Sequence, residues 1–501
     1  MEGLTFISDP GAAGWILIGT ALGILVGATP GLTGAMLIAL TLPLTYSMNG
    51  SDALILLVAM YVGSVSGGLI TATLMRMPGT PASMMTTLDG YPMAKSGRPG
   101  RALGLGVLAS FAGGIFSWLF LILLAGPMAK WSTRMGPFEF FSMVLMALVL
   151  IASVGGKSQI RGIFAGLLGI LIAMPGVAPG TGQIRLTLGI SELNDGFKLL
   201  PVLIGLFALS QILNEALRHT ATSNSDIQGN RKGMFLTLTE WRQQAVNILR
   251  SSLIGTWVGI LPGVGANIGS VMAYSAARNA SKTPDEFGKG CDYGVVASES
   301  ANNATVGGAL IPLIALGIPG SVIDAILLGA FVIHGLAPGP MLFESDPEIV
   351  HAITGSYFWA NVCMVFMMIA SVRWIARLGS VPRYILVPVI MTFCVIGSYA
   401  LANRFFDVWV MLAFGIAGFA MDRFKIPLAP FVIGFVLRPV AEENLVAGLM
   451  QSGGSFLPLV TRPLSLAFCG ISLLLLIMPI VRNKQLARKN KLPGNVDGSN
   501  E

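Results

Sequence analysis

Leu17-Ile18-Gly19-Thr20-x-x-Gly23-Ile24-Leu25 is written a second time, as Leu253-Ile254-Gly255-Thr256-x-x-Gly259-Ile260-Leu261. Each copy runs into a Pro-Gly break, Pro30-Gly31 and Pro262-Gly263. A Gly pair follows each, Gly67-Gly68 and Gly307-Gly308, and then a second Pro-Gly, Pro78-Gly79 and Pro319-Gly320. Both blocks close on another Pro-Gly, Pro99-Gly100 and Pro338-Gly339. Paired, interrupted apolar segments in two halves of a chain point to a secondary transporter and its binding site.

The surrounding composition is that of a membrane protein. The 501 residues are 54% hydrophobic and 11% charged, with a mean hydropathy of +0.75, whereas soluble domains carry roughly 25% charged residues. Stretches 10–51, 53–75, 102–129, 162–184, 251–277, 300–323, 349–372, 384–403 and 463–481 contain no Asp, Glu, Lys or Arg. A crossing helix needs about 20 apolar residues, so about eleven or twelve crossings are expected once shorter runs are included. The apolar residues come in continuous runs, which excludes the alternation of a β-barrel. The fold expected is therefore an all-α polytopic membrane protein of two homologous halves, 1–240 and 241–501. Their motif blocks lie at 17–100 and 253–339, with broken or re-entrant helices arranged as inverted repeats.

Charge and cysteine usage narrow the function. The net charge is +7, but the basic residues sit at segment ends, as the positive-inside rule requires. A nucleic-acid role is rejected on that ground. Arg482, Lys484, Arg488, Lys489 and Lys491 in the tail 482–501 place the C-terminus on the cytoplasmic side, and the basic linker 215–250 beside them. No cleavable signal peptide is expected, because Glu2 and Asp9 precede a first apolar run too long for one. Four scattered cysteines and three histidines suggest no disulfide framework, metal cluster or cofactor. No Walker A pattern is present, which argues against ATP hydrolysis.

The blocks carry the chemistry. Pro-Gly in mid-run splits a helix and frees backbone groups, which must then be covered by protein or face a watery cavity. The half-helix after each break offers an N-terminus that favours anions. Carboxylate binding is therefore expected at Pro30, Gly31, Thr33, Pro262, Gly263, Asn267 and Ser270, with Thr80 and Ser321 contributing hydroxyls. Asn302, Asn303 and Thr305 supply neutral oxygens for a coupling cation, Na⁺ or H⁺, although interhelical hydrogen bonding is an alternative role for the two amides. Asp324 and Glu299 flank the uncharged run 300–323. Asp324 reads equally as an intramembrane functional acid and as a stabiliser of a first helical turn. Glu299 and Asp89 are expected in polar loops as solvated charges, Asp89 also as part of an Asp-Gly turn.

These residues resemble the large membrane subunit of the bacterial tripartite tricarboxylate transporters. The resemblance rests on Gly27-Ala-Thr-Pro-Gly-Leu-Thr-Gly34, Pro78-Gly-Thr-Pro-Ala82 with Thr87-Leu-Asp-Gly-Tyr-Pro92, Leu261-Pro-Gly-Val-Gly265 and Glu299-Ser-Ala-Asn-Asn-Ala304. It continues through Gly307-Gly-Ala-Leu-Ile-Pro312, Leu316-Gly-Ile-Pro-Gly320 and His334-Gly-Leu-Ala-Pro-Gly-Pro340. The resemblance implies a transport pore in the bacterial inner membrane that works with a small membrane subunit and a periplasmic solute-binding protein. It implies import of tricarboxylates or related organic anions on an ion gradient. Asp324 is not part of it, and no family role is carried onto that residue. The alternatives are a standalone carboxylate transporter, an intramembrane enzyme and a passive channel. The enzyme reading lacks a paired catalytic set, and a channel would not accumulate its solute.

Overall fold

The computed structural model describes residues 9–29, 31–77, 79–154, 158–217, 233–378, 383–400 and 402–489. The described residues are 78% helical, and the protein is an all-α polytopic membrane protein. Among the described residues, five helices are long and apolar enough to cross a membrane: Pro10–Gly27, Gly50–Leu74, Pro99–Ser132, Pro347–Ser371 and Phe405–Arg423. Shorter apolar helices accompany them.

The first block folds as α1 (Pro10–Gly27), α2 (Gly34–Thr45), α3 (Gly50–Leu74), a short turn Pro81–Met84 and α4 (Thr86–Lys95). Helices α5 (Pro99–Ser132), α6 (Pro137–Val154) and α7 (Gln159–Ile172) follow. Helix α8 runs from Leu199–Leu203 through a π-helical stretch, Ile204–Leu209, into Ser210–Leu217. The second block contains α9 (Leu238–Ile260), α10 (Gly265–Asn279), α11 (Asp292–Leu316) and α12 (Val322–Ile333). The chain continues through α13 (Pro347–Leu378), α14 (Arg383–Ala400), α15 (Phe405–Arg423), α16 (Leu428–Gln451) and α17 (Pro463–Lys489). Local chemistry fixes the starts. Asp9 caps α1 by accepting from the Gly11 and Ala12 amides, with Pro10 opening the helix. Thr33 caps α2, Asn49 caps α3 and Ser321 caps α12. Thr237 and Glu240 form a capping box at α9.

Two helices make the centre. The apolar length of α3 is wholly buried, and α11 is buried from Gly294 to Ala315. Helix α1 packs on α3, and α9 on α11. A methyl placed on Gly19 would sit 2.6 Å from the Leu56 carbonyl oxygen, and one on Gly23 2.5 Å from that of Met60. Gly255 and Gly259 press in the same way on Ala301 and Thr305 of α11. Lipid supplies no hydrophobic drive between helices, so small residues that bring backbones together carry the association. Gly63 lies against the Thr20 carbonyl and Gly308 against that of Thr256. In this packing Gly308 takes the place of Gly63, so the Gly pairs 67–68 and 307–308 are not in register.

Several expectations need correction. The uncharged run 162–184 is not one crossing: α7 ends at Ile172, and a short antiparallel hairpin, Gly176–Val177 with Ile184–Arg185, follows. Leu238 to Trp241, within the basic linker 215–250, form the first turn of α9. Position 240, the expected boundary between the halves, falls inside α9. Asp89 and Glu299 are in neither loops nor solvent. Both are fully buried, Asp89 within α4 and Glu299 in the middle of α11.

Candidate functional site

Both Pro-Gly runs break their helices as expected. Between α1 and α2 the backbone turns through Gly31 at φ +88°, and between α9 and α10 through Gly263 and Gly265 at φ +70° and +71°. Glycine takes these conformations at no steric cost. Pro30 and Pro78 lie outside the described residues. The Gly31 carbonyl accepts from Gln211 Nε2 of α8 at 2.8 Å, while Gly263 packs against Ile151 of α6 and Pro262 is buried beside it.

The two breaks approach a common neighbour, the start of α12. A methyl on Gly34 would lie 3.2 Å from Ile323 Cδ1, and one on Gly265 3.9 Å from Ser321 Cβ. Ser321 also shares a 3.1 Å hydrogen bond with the Tyr61 hydroxyl of α3. The first break, the second break and α3 therefore all reach the start of α12, at Ile323 and Ser321.

The hydroxyls named in the sequence are largely used within the fold. Thr33 accepts from the Met36 amide at 3.1 Å, and Ser321 from the Asp324 amide at 3.3 Å. Ser270 donates to the Ser298 carbonyl at 3.2 Å. Thr80 and Ser83 bond each other's backbone. Asn267 is exposed on α10.

The cation candidates separate. Thr305 donates to the Ala301 carbonyl and faces Gly269 of α10. Asn302 and Asn303 face α3. Ser66 donates to Asn303 Oδ1 at 2.7 Å, and Asn302 Nδ2 reaches the Val65 carbonyl at 3.4 Å. Asn302 Oδ1 is buried without a partner.

Sequence reasoning missed the acid at the centre of this seam. Glu299 accepts from Thr86 Oγ1 at 2.5 Å and Ser110 Oγ at 3.1 Å, so α4, α5 and α11 meet on one carboxylate. Thr86 also pairs with Ser298 at 3.0 Å. On the other side of α11, Tyr357 of α13 donates to the Asn303 carbonyl at 3.1 Å and accepts from the Gly307 amide at 3.0 Å. The signal that could have found Glu299 is the small and polar run Ala297-Ser-Glu-Ser-Ala-Asn-Asn303, whose last four residues open a long uncharged stretch. Such a run reads as a packed polar helix rather than a loop.

The sequence model of the tripartite tricarboxylate transporter TctA family matches residues 14–433, a span that includes both helix breaks and the Glu299 seam. The chain belongs to that family. An uncharacterized 52.8 kDa protein of Agrobacterium vitis, from the TAR-I ttuC' 3' region, is 33% identical over 476 residues, 94% of each chain. A second Agrobacterium vitis protein, uncharacterized and from the TAR-II ttuC' 3' region, is 36% identical over 234 residues. That match spans 46% of this chain and 97% of the relative. No solved structure matches. As a TctA-family member the protein is a multi-pass membrane component of a transporter.

Proposed function

We propose that this TctA-family chain is the pore of an ion-driven importer of tricarboxylates or related organic anions. In this reading it sits in the bacterial inner membrane with its C-terminus in the cytoplasm. It works with a small membrane subunit and receives its solute from a periplasmic binding protein. The two blocks form halves of opposite orientation, and the matched glycine contacts of α1 on α3 and α9 on α11 support that pairing. One observation carries the reading: two helix breaks from distant parts of the chain both approach the start of α12, the first at Ile323 and the second at Ser321, without a Lys or Arg in 10–51 or 251–277. An anion held there would rely on half-helix N-termini and neutral donors, weak enough for release. The coupling cation, Na⁺ or H⁺, would sit by Asn302 and Asn303, with the Glu299 carboxylate completing the charge and the unpartnered Asn302 Oδ1 as an available ligand.

The test is uptake of citrate and succinate by proteoliposomes holding the chain, its small partner and its receptor, with Na⁺ and H⁺ gradients imposed separately. Asn267→Ala should lower uptake about tenfold or more without loss of expression, and Gly31→Val should lower it too, at some loss of yield because Val is strained at φ +88°. Asn302→Ala and Asn303→Ala should weaken its dependence on the driving cation. Full uptake by the first pair removes the breaks from the substrate path. Unchanged cation affinity in the second pair removes the amides from the coupling site. Undiminished uptake without the receptor would replace the tripartite reading by a standalone transporter.

A further inference from the structure

Asp324 stands at the place where the two breaks converge. It lies in the first turn of α12, three residues after the Ser321 cap, and is fully buried. Its polar surroundings are Ser321 and the backbone of the same turn, yet neither carboxylate oxygen closes a hydrogen bond. This differs sharply from the other two buried acids of the blocks. Asp89 accepts four hydrogen bonds, and Glu299 accepts from two hydroxyls. A bare carboxylate in such a place costs several kcal/mol unless it is paired or neutralised.

Among the described residues no Lys, Arg or His forms an ion pair with it. Helix α12 packs against α2, α3, α8, α11 and α16. Helix α2 has no charged residue, and neither does Leu199–Leu203, the part of α8 that α12 meets. Tyr61 faces the site from α3 and shares Ser321 with it. On α11 the run 300–316 is uncharged, and Glu299 is bound by α4 and α5 instead. Arg438 and Glu443 of α16 line a cavity with Leu328 and Val332, beyond the first turn of α12, and Arg438 is ion-paired with Glu442. A bound metal is also poorly served, since among the described residues no group of three His, Cys, Asp or Glu gathers anywhere.

We propose that Asp324 is a proton-binding site: in the conformation described here it carries a proton, and it exchanges that proton with water when the gap between the breaks opens. The proton comes from water on one side of the membrane and returns to water on the other, with no further reactant. Neutral Asp324 leaves the gap free of fixed negative charge, so an anion can enter beside Ser321. The positive end of α12 supports the ionised form once the gap is hydrated and the anion has left. Proton binding at Asp324 and carboxylate binding at the breaks then favour each other, which is the reciprocity a symporter requires. This part of the inference rests on the proposed carboxylate transport; the protonation of Asp324 does not.

Infrared spectroscopy of the full chain in liposomes tests it. At neutral pH the wild type should show the carbonyl stretch of a protonated carboxyl. Asp324→Asn should remove that band and Glu299→Gln should leave it. Asp324→Glu, which keeps the acid if the Asn variant folds badly, should shift the band's position. The proposal is overturned if the Asn variant's spectrum superimposes on the wild type's, if the Glu variant leaves the band where it was, or if added Na⁺ at constant pH abolishes it. If the band behaves as expected but no carboxylate is taken up, the transport reading fails and the proton site stands.

Discussion

Asp89→Asn should loosen the start of α11 by an amount that can be worked from the structure. Asp89 Oδ1 accepts from the amides of Gly288, Gly290 and Cys291 at 2.8, 2.9 and 2.8 Å. Its Oδ2 accepts from the Tyr274 hydroxyl at 2.8 Å. The loop presents its amides inward because Gly288 and Gly290 take φ +86° and +102°, making a concave backbone nest for an anion. Cys291 is the N-cap of α11, so this carboxylate ties α4 to the helix that carries Glu299, Asn302 and Asn303. A hydrogen bond to a charged group contributes about 1.5–3 kcal/mol and a neutral one about 1 kcal/mol. An amide that keeps the oxygen but loses the charge should therefore forfeit about 1 kcal/mol at each of three amides. The total of about 3 kcal/mol corresponds to roughly a hundredfold change in a local opening equilibrium. Hydrogen–deuterium exchange of Gly288, Gly290 and Cys291 reads that opening. Tyr274→Phe removes one bond and leaves Oδ1 untouched, so its effect on the same amides should be smaller than that of Asp89→Asn. Exchange rates in Asp89→Asn within threefold of the wild type, or a larger effect from Tyr274→Phe, would refute the charged-anchor account.

Gly259→Val should abolish folded yield, because its side chain would begin 2.9 Å from the Ala309 amide nitrogen and closer still to the Thr305 carbonyl. Gly14→Ala, with open space around it, should be neutral, and the monodisperse fraction on size exclusion compares the two. The Glu240 carboxyl is held below the ordinary glutamate range by the Thr237 amide, then by the Thr237 hydroxyl and Arg101. A depressed carboxyl contributes stability that is present above its unfolded value and lost as pH falls through the folded one. The start of α9 should therefore hold at neutral pH and fray only in acid below that range. The fluorescence of Trp241, one residue on, should report this acid transition, and Glu240→Gln should flatten it.

The residues by themselves determined that this chain lives in a membrane as helices, because uncharged runs of crossing length admit no other solution in hydrocarbon. They also determined where helices break. Thr29-Pro30-Gly31 and Leu261-Pro262-Gly263 interrupt α1–α2 and α9–α10, since proline lacks a donor and glycine tolerates positive φ wherever they stand in a fold. What only the tertiary structure decided was which polar groups are spent and which are free. Thr33, Ser270 and Thr305 read as ligands in sequence, yet each is used by a backbone group of its own or a neighbouring helix. Asp89 and Glu299 read as solvated charges, yet each is buried and satisfied by residues almost two hundred or more positions away. Asp324 could be read either way, and its lack of partners shows only when α2, α3, α10 and α12 are brought together. A residue type fixes what a side chain can bond, and the local sequence fixes the backbone near it. Satisfaction of a buried polar group depends on donors delivered by other helices, and that delivery is a property of packing.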